Sequence, residues 1–408
     1  MRLFILAPLL AVLPTAALAD PLTFGEALRR ATAEAPSLRA RSLEVEARRS
    51  TAVSAGQLPD PKLGVGLDNF PISGPPAFSF GGDDMTMARV GISQEVPNLA
   101  KRRARSGRAE ADIGVAEADR IAEVRKARVT TAIAWIDLAY AERRLAAIDK
   151  SLADLAEYVT PATSGVASGT ARPAQTLDIR QAIAVLEDRR SEVAAEVAQA
   201  RATLARWTGD PRPTIEGAVP EFAIDPDQLR AAIERHPDLA AAIARVRAAE
   251  ADVTVARADK RPDWGFDLAY QKRGNGYGDM VSVGATVSLP LFTRRRQGPM
   301  IAASVAAEGA ALAQREDVRR ALLADLDGSL ADHVMHHDQW IRARDTLLPL
   351  ARRRVDLEIA SYSSGRAMLT EVIAAQAMFT DAALQALDRE AVVARDAARL
   401  VLTYGGDQ

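Results

Sequence analysis

The sequence predicts a mainly α-helical fold with a small membrane-type β component, built from a unit of helix, hairpin, long helix, turn and helix that occurs twice. Three observations predict it. Val281, Val283, Val287 and Leu289 alternate with Ser282, Gly284, Thr286 and Ser288, the period-2 pattern of a strand with one greasy and one polar face. After Pro290, the stretch from Thr293 to Ser361 is dominated by Ala, Leu, Arg, Glu and Asp, with glycine only at Gly298, Gly309 and Gly328. At 1.5 Å per residue these roughly 68 residues make a rod of about 100 Å. Finally, the same order of elements returns about 200 residues later in the chain.

Composition narrows the function. The 408 residues carry 52 basic and 54 acidic side chains, a near balance that leaves no nucleic-acid footprint. Arg2, the apolar run from Leu3 to Leu13 and Ala17-Leu18-Ala19 read as a signal peptide over 1–19. There is no cysteine, which excludes disulfides and a lipid-bearing Cys. No later stretch holds about 18 consecutive apolar residues, so only a β-barrel could cross a bilayer. The duplication divides the remainder into a first repeat (20–210), a linker (211–226), a second repeat (227–405) and a short tail (406–408).

Along the chain, Thr23 with Glu26 has capping-box spacing and opens a helix to Gln57, which Pro36 kinks or breaks and Pro59-Asp60-Pro61 ends. Leu63, Val65 and Leu67 alternate with small or polar residues, a Gly/Pro-rich loop follows, and Thr86 to Val96 completes a hairpin. Pro97 leads into a helix from about Ala100 to Tyr158. Tyr158 to Pro173, with Pro161, Gly165 and Gly169, predicts a turn, and Ala174 to Trp207 a returning helix. Its apolar positions at Ile179, Ile183, Leu186, Val193, Val197, Ala200, Leu204 and Trp207 are broken only by Arg190. The second repeat begins with a helix from Leu229 to Arg261 around Pro237. Trp264, Phe266, Leu268 and Tyr270 then alternate with polar or small residues, and the strand from Val281 pairs with them. After the turn at Tyr362-Ser363-Ser364-Gly365, the last helix spaces Ile373, Ala377, Thr380, Leu384, Leu387, Ala391, Ala394, Ala398 and Val401 by fours and threes.

Four strands cannot close a barrel, and open strand edges are not tolerated in lipid, so chains must pool strands; two chains or three satisfy this equally. The signal segment, the duplicated order of elements, the strand-to-helix prolines Pro97 and Pro290, and the Tyr362-x-x-Gly365 turn together resemble the TolC outer-membrane efflux family. The likeness covers essentially the whole chain after residue 19. The run Ser288-Leu289-Pro290-Leu291-Phe292 with Arg294-Arg295-Arg296-Gln297-Gly298 is most similar to the heavy-metal branch typified by CzcC. The resemblance implies a homotrimer with a twelve-stranded barrel in the outer membrane of a Gram-negative bacterium and a helical barrel in the periplasm. It also implies a periplasmic adaptor, an inner-membrane pump that is usually proton-driven, and a passive exit duct for heavy-metal cations. Many members carry a lipid-bearing Cys that this chain lacks. Two rivals stand beside this reading: a duct for drugs, organic solutes or secreted polypeptide, and a soluble periplasmic coiled-coil scaffold, which leaves both hairpins unexplained.

No catalytic constellation or cofactor loop appears: cysteine is absent, histidine occurs four times, and no Gly-rich loop follows a strand. On the family pattern, Tyr362 and Gly365 stand at turn positions, Arg366 lies one place before the usual Arg, and Thr370-Glu371-Val372 replaces Thr-Asp-Val. The resemblance thus implies Tyr362 and Arg366 as gate links and a ring of Glu371 that attracts cations at a narrow entrance. A carboxylate there equally suits a helix dipole. In the first repeat Gln175 holds the acidic place, with Asp178 as its substitute one turn on. Gly165, Gly169, Ser364 and Gly365 are expected at the adaptor-docking tips. His333 and His337 share a helix face at i, i+4, a spacing suited to two metal ligands, with His336 beside them; the competing reading is histidines that simply face water. Pro349 predicts a kink in the long helix. Trp264, Tyr270, Phe70 and Phe80 fit an aromatic girdle or loop anchors.

Overall fold

The computed structural model describes residues 21–75, 77–82, 84–167, 172–274 and 276–405, so the signal segment and Gly169 lie outside the described residues. The elements in chain order are α1 (Phe24–Glu34), α2 (Pro36–Ala55), β1 (Lys62–Asp68), β2 (Met87–Val96), α3 (Leu99–Ala156), α4 (Val159–Ala167) and α5 (Pro173–Thr208). The second half contributes α6 (Pro226–Ala232), α7 (Pro237–Ala258), β3 (Asp263–Arg273), β4 (Met280–Ser288), α8 (Gln297–Arg342), α9 (Leu348–Ser363) and α10 (Leu369–Tyr404). They divide into two compact units, one made of residues up to Ala35, Lys126–Pro226 and Gly328–Thr403, the other of Pro36–Arg125, Asp227–Asp327 and the end from Tyr404.

The sheet belongs to the second of these units. Its four strands pair antiparallel in the order β1-β2-β3-β4, so both hairpins lie side by side in one sheet. The register lines up Val65, Val90, Tyr270 and Val281 in one row, and Leu63, Ile92, Leu268 and Val283 in the next. Both rows are exposed, up to 80% at Val283. The opposite face carries Gly64, Gly91, Gly265, Asp267, Ser282, Gly284 and Thr286, and it is crowded. A Cβ on Gly91 would meet Ala269 Cβ at 2.9 Å, and one on Gly284 would run into the Asp267 carboxylate. Ala269, packed against Gly91, is 1% exposed. Glycines packed on the polar side let the sheet curl toward it, which makes the polar face concave and turns the apolar face outward. A continuous apolar face of this size is stable only against lipid or protein. No helix among the described residues is long and apolar enough to cross a membrane.

The other unit is a helical core. Trp135, Ile136 and Leu138 of α3 pack with Ala27 of α1, Val197 and Leu204 of α5, and Ala391 and Ala398 of α10. Trp135 is fully buried and donates Nε1–H to the Leu22 carbonyl at 3.0 Å, satisfying its polar atom. Leu22 in turn bridges to Ile215, and Val219 and Phe222 of the linker cover the same core. A second cluster joins Ile148 and Leu155 of α3, Ala162 of α4, Ile179, Leu186 and Val193 of α5, and Leu369, Val372 and Ile373 of α10. Ion pairs between these helices, Arg201 with Glu142 at 2.8 Å and Arg144 with Asp388 at 2.8 Å among them, lie at the surface and set register more than stability.

Four expectations need correction. Tyr158 to Pro173 is not all turn: nine residues form α4, because Pro161 falls in the first turn of that helix, where its missing N–H has no intrahelical partner to lose. The first helix breaks at Pro36, one of the two outcomes expected there, but only half of the capping box forms: Thr23 Oγ1 accepts the Glu26 N–H at 3.3 Å while the Glu26 carboxylate turns to Arg29 and Arg30. Trp207 is half-buried, and Thr208 takes the buried place at the end of α5. On α10 the buried side chain is Gln376 rather than Ala377, which is exposed. The predicted disturbance at Pro349 takes the form of a π-helical stretch, Ala343–Leu347, immediately before it. A wider turn there absorbs the donor that Pro349 lacks.

Candidate gate and the sheet-to-helix passages

At the end of α9 the chain closes a complete Schellman turn. The Arg366 N–H reaches the Ser361 carbonyl at 2.8 Å, the Gly365 N–H reaches Tyr362 at 2.9 Å, and Gly365 takes φ 73°. The glycine is demanded by that angle. Ser364 and Gly365 are exposed at the turn, whereas Gly165 sits inside α4. Tyr362 is half-buried against the cluster that contains Ile148, Leu369 and Val372. Arg366 is exposed, and its Nε donates to Ser364 Oγ at 3.0 Å. Glu371 accepts the Met368 N–H at 2.8 Å, so this carboxylate closes the start of α10 while remaining exposed. Asp178 is exposed on α5 beside the buried Ile179.

The histidines do not converge. His336 Nδ1 lies 2.7 Å from Asp396 Oδ2 of α10, while His333 and His337 have ring centroids 6.2 Å apart and His337 meets the edge of Trp340. Burial pushes the His333 imidazole below its usual pKa and so favours its neutral form. Among the described residues no three His, Asp or Glu side chains gather to hold a metal ion. Sequence reading missed a polar seam between α3 and α10: Thr380 donates to Ser151 at 2.9 Å in the buried interior, and Gln376 reaches Asp154 at 3.5 Å. The i, i+4 pair of Gln376 and Thr380 on an otherwise apolar helix face was the available signal. A cavity of about 380 Å³ between α3, α5 and α10 carries Arg144 and Arg395, but Glu196, Asp388 and Asp137 already pair with them.

Where the sheet gives way to helices, the two repeats are built differently. In the first, Asn98 caps α3 by accepting the Lys101 N–H at 2.8 Å. Asp263 accepts from the Asn98 N–H at 2.8 Å and from Lys101 Nζ at 2.9 Å, and its own N–H donates to Ser288 Oγ at 3.0 Å. One residue thereby ties the passage together, its carboxylate holding Asn98 and Lys101 between β2 and α3 and its backbone N–H reaching Ser288 at the end of β4. In the second, residues 289–296 wind through backbone turns, with Arg295 and Arg296 N–H groups on the Phe292 carbonyl, and the three arginine side chains project outward.

The outer membrane efflux protein family matches residues 27–210 and again residues 229–406. No curated protein matches the chain in sequence. Solved structures match it in fold. The chain is similar to a membrane protein from Pseudomonas aeruginosa (19% identity, covering 94% of this chain and 90% of that one, TM-score 0.80). It is also similar to the CmeC outer membrane channel of Campylobacter jejuni (13% identity, 94% and 85%, TM-score 0.79) and to the outer membrane protein VceC of Vibrio cholerae (18% identity, 94% and 96%, TM-score 0.77). At these identities the likeness speaks for the fold, and it agrees with a mainly helical chain that carries a small sheet. Members of the family are passive channels of tripartite systems, not enzymes; they form trimers and work with an adaptor and an inner-membrane pump. The scaffold reading falls with this match, and the open edges of the four-stranded sheet find their partners in the neighbouring copies. The chain belongs to the outer membrane efflux protein family and is an outer-membrane efflux channel that extends into the periplasm.

Proposed function

We propose that this channel is the exit duct for heavy-metal cations moved by a proton-driven inner-membrane pump. The observation that carries the cargo is the passage from Ser288 to Gly298, whose Leu289-Pro290-Leu291-Phe292 and Arg294-Arg295-Arg296-Gln297-Gly298 run resembles the heavy-metal branch. The exposed carboxylate of Glu371 at the start of α10 supports it, since three copies around a narrow entrance attract cations and raise the cost of anions. In this reading Tyr362 and Arg366 link the gate, Asp178 supplies the acidic position of the first repeat, and Gly165, Gly169, Ser364 and Gly365 lie where the adaptor docks. His333 and His337, at i, i+4, serve as a passing stop for a metal ion rather than a resident site.

The test is growth of a strain lacking the gene, and of the same strain complemented, across zinc, cadmium, cobalt, nickel, copper and silver salts beside dyes, bile salts and antibiotics. Sensitivity confined to some of the metals and restored by the gene is the expected result. Sensitivity to organic compounds alone leaves the duct intact and removes the metal cargo.

A further inference from the structure

The apolar band of the sheet ends at the Trp264–Val287 pair, one residue inside the ends of β3 and β4. Trp264 stacks with Phe266, with ring centroids 6.5 Å apart. Immediately beyond that level stand Lys260, Arg261, Arg294, Arg295 and Arg296, all exposed, with Arg103 and Arg105 at the start of α3. Of the acidic groups near this level, Asp259 and Asp263 are both engaged by Lys101, at 3.0 and 2.9 Å, Glu95 is engaged by Lys62 at 2.6 Å, and Asp60 is exposed. None of Arg103, Arg105, Arg261, Arg294, Arg295 and Arg296 pairs with a carboxylate among the described residues. Between these arginines Leu291 is 74% and Phe292 70% exposed, an unfavourable arrangement in water.

From these observations we propose that the arginines of the second passage, with Leu289, Leu291 and Phe292, form a belt that binds anionic phospholipid headgroups of the periplasmic leaflet. The apolar side chains enter the acyl region, and the guanidinium groups stay at the phosphates. Guanidinium forks fit phosphate in two-point hydrogen bonds, and uncommitted Lys or Arg beside exposed Trp, Phe and Leu is the pattern of an interfacial anchor. The level agrees, because the arginines follow the last apolar row of the sheet on the side where the helices begin. The passages differ in degree: in the first, Lys101 is held by two carboxylates and Arg102 by the Gly56 carbonyl, with Arg103 and Arg105 uncommitted, whereas in the second all three of Arg294 to Arg296 are left for a partner outside the chain.

The test uses the purified trimer in detergent, titrated with phosphatidylglycerol or with phosphatidylcholine of the same acyl chains and read by native mass spectrometry. The wild type retains phosphatidylglycerol at least about tenfold better, as expected for several basic groups near a charged lipid surface. The variant R294Q/R295Q/R296Q loses that preference, and R352Q/R353Q/R354Q, which removes the same charge from α9, keeps it. Absence of the preference in the wild type, its survival in the first variant, or its equal loss in the second overturns the proposal. Displacement of the lipid by millimolar inorganic phosphate would reveal an unspecific anion site and also overturn it. So would dissociation of the first variant into single chains with its lipid preference intact, which would make the belt a contact between copies.

Discussion

Gly91 in the first hairpin and Gly284 in the second each lie six residues before a strand-ending proline, Pro97 and Pro290, and each faces the crowded polar side of the sheet. The helices that follow are not alike. α3 runs 58 residues without a break, whereas its counterpart runs 46 residues, passes through a five-residue π stretch and resumes for 16. The first return contains the extra helix α4, and the second is a tight turn on Gly365. A barrel wall asks the same curvature of every hairpin, and so the strands have stayed equivalent. The helical end has no such symmetry to keep: among the described residues its π stretch, its tight turn on Gly365 and its exposed Arg366 and Glu371 all fall in the second repeat.

The largest effect is expected where the repeats agree. Gly91→Val places a side chain against Ala269 Cβ and the Leu268 carbonyl, which are fixed by β3. Overpacking of this kind costs about 1–3 kcal/mol per chain, and it should abolish trimers in the outer-membrane fraction, read by unheated gel mobility. Gly284→Val meets the movable Asp267 carboxylate instead and should retain some trimer. The passages separate the repeats. Asp263→Ala strips Asn98 and Lys101 of their acceptor and should lower stability by about 1–2 kcal/mol, the lower end being set by partial solvent exposure and by the Asp259 contact that Lys101 keeps. R294Q/R295Q/R296Q should change detergent-solution stability by less than about 0.5 kcal/mol, because these side chains hold nothing within the chain. Thermal melts of the two variants side by side measure the contrast.

Smaller effects belong to the second return and the long helix. Gly365→Ala forces a side chain into the left-handed region at φ 73° and should cost about 1 kcal/mol, visible as a lower melting temperature and faster proteolysis between α9 and α10. Pro349→Ala returns the missing N–H and lets α8 and α9 join as a regular helix. Stability should move by about 0.5 kcal/mol or less, but amide exchange across Ala343–Leu347 should slow toward the rate seen in α3.

Most of the architecture was legible because the relevant signals are local. Alternation in β1 to β4, capping at Thr23 and prolines at strand ends are each written within a few residues. What the sequence concealed is non-local or depends on position within a turn. Pro161 reads as a breaker until its place in the first turn of α4 is known. Gln376 looks too polar to be buried, and Thr380 stands on the stripe with no visible partner, until Asp154 and Ser151, more than 200 residues away in the chain, are seen to meet them. His336 likewise finds Asp396 across 60 residues, which no spacing rule on α8 could show. At the candidate gate, Tyr362, Gly365 and Glu371 were recognisable from the turn pattern, while the hydrogen bond of Glu371 to the Met368 N–H was legible only as a dipole argument.

The central claim is that four curved, amphipathic strands per chain become a membrane wall only when three chains pool them. The mass of the detergent-solubilised complex, corrected for bound detergent by light scattering, tests it directly. Three copies of the chain, stable without any partner protein, are the expected result. A complex of two copies, or a folded single chain that needs no detergent, would contradict the account.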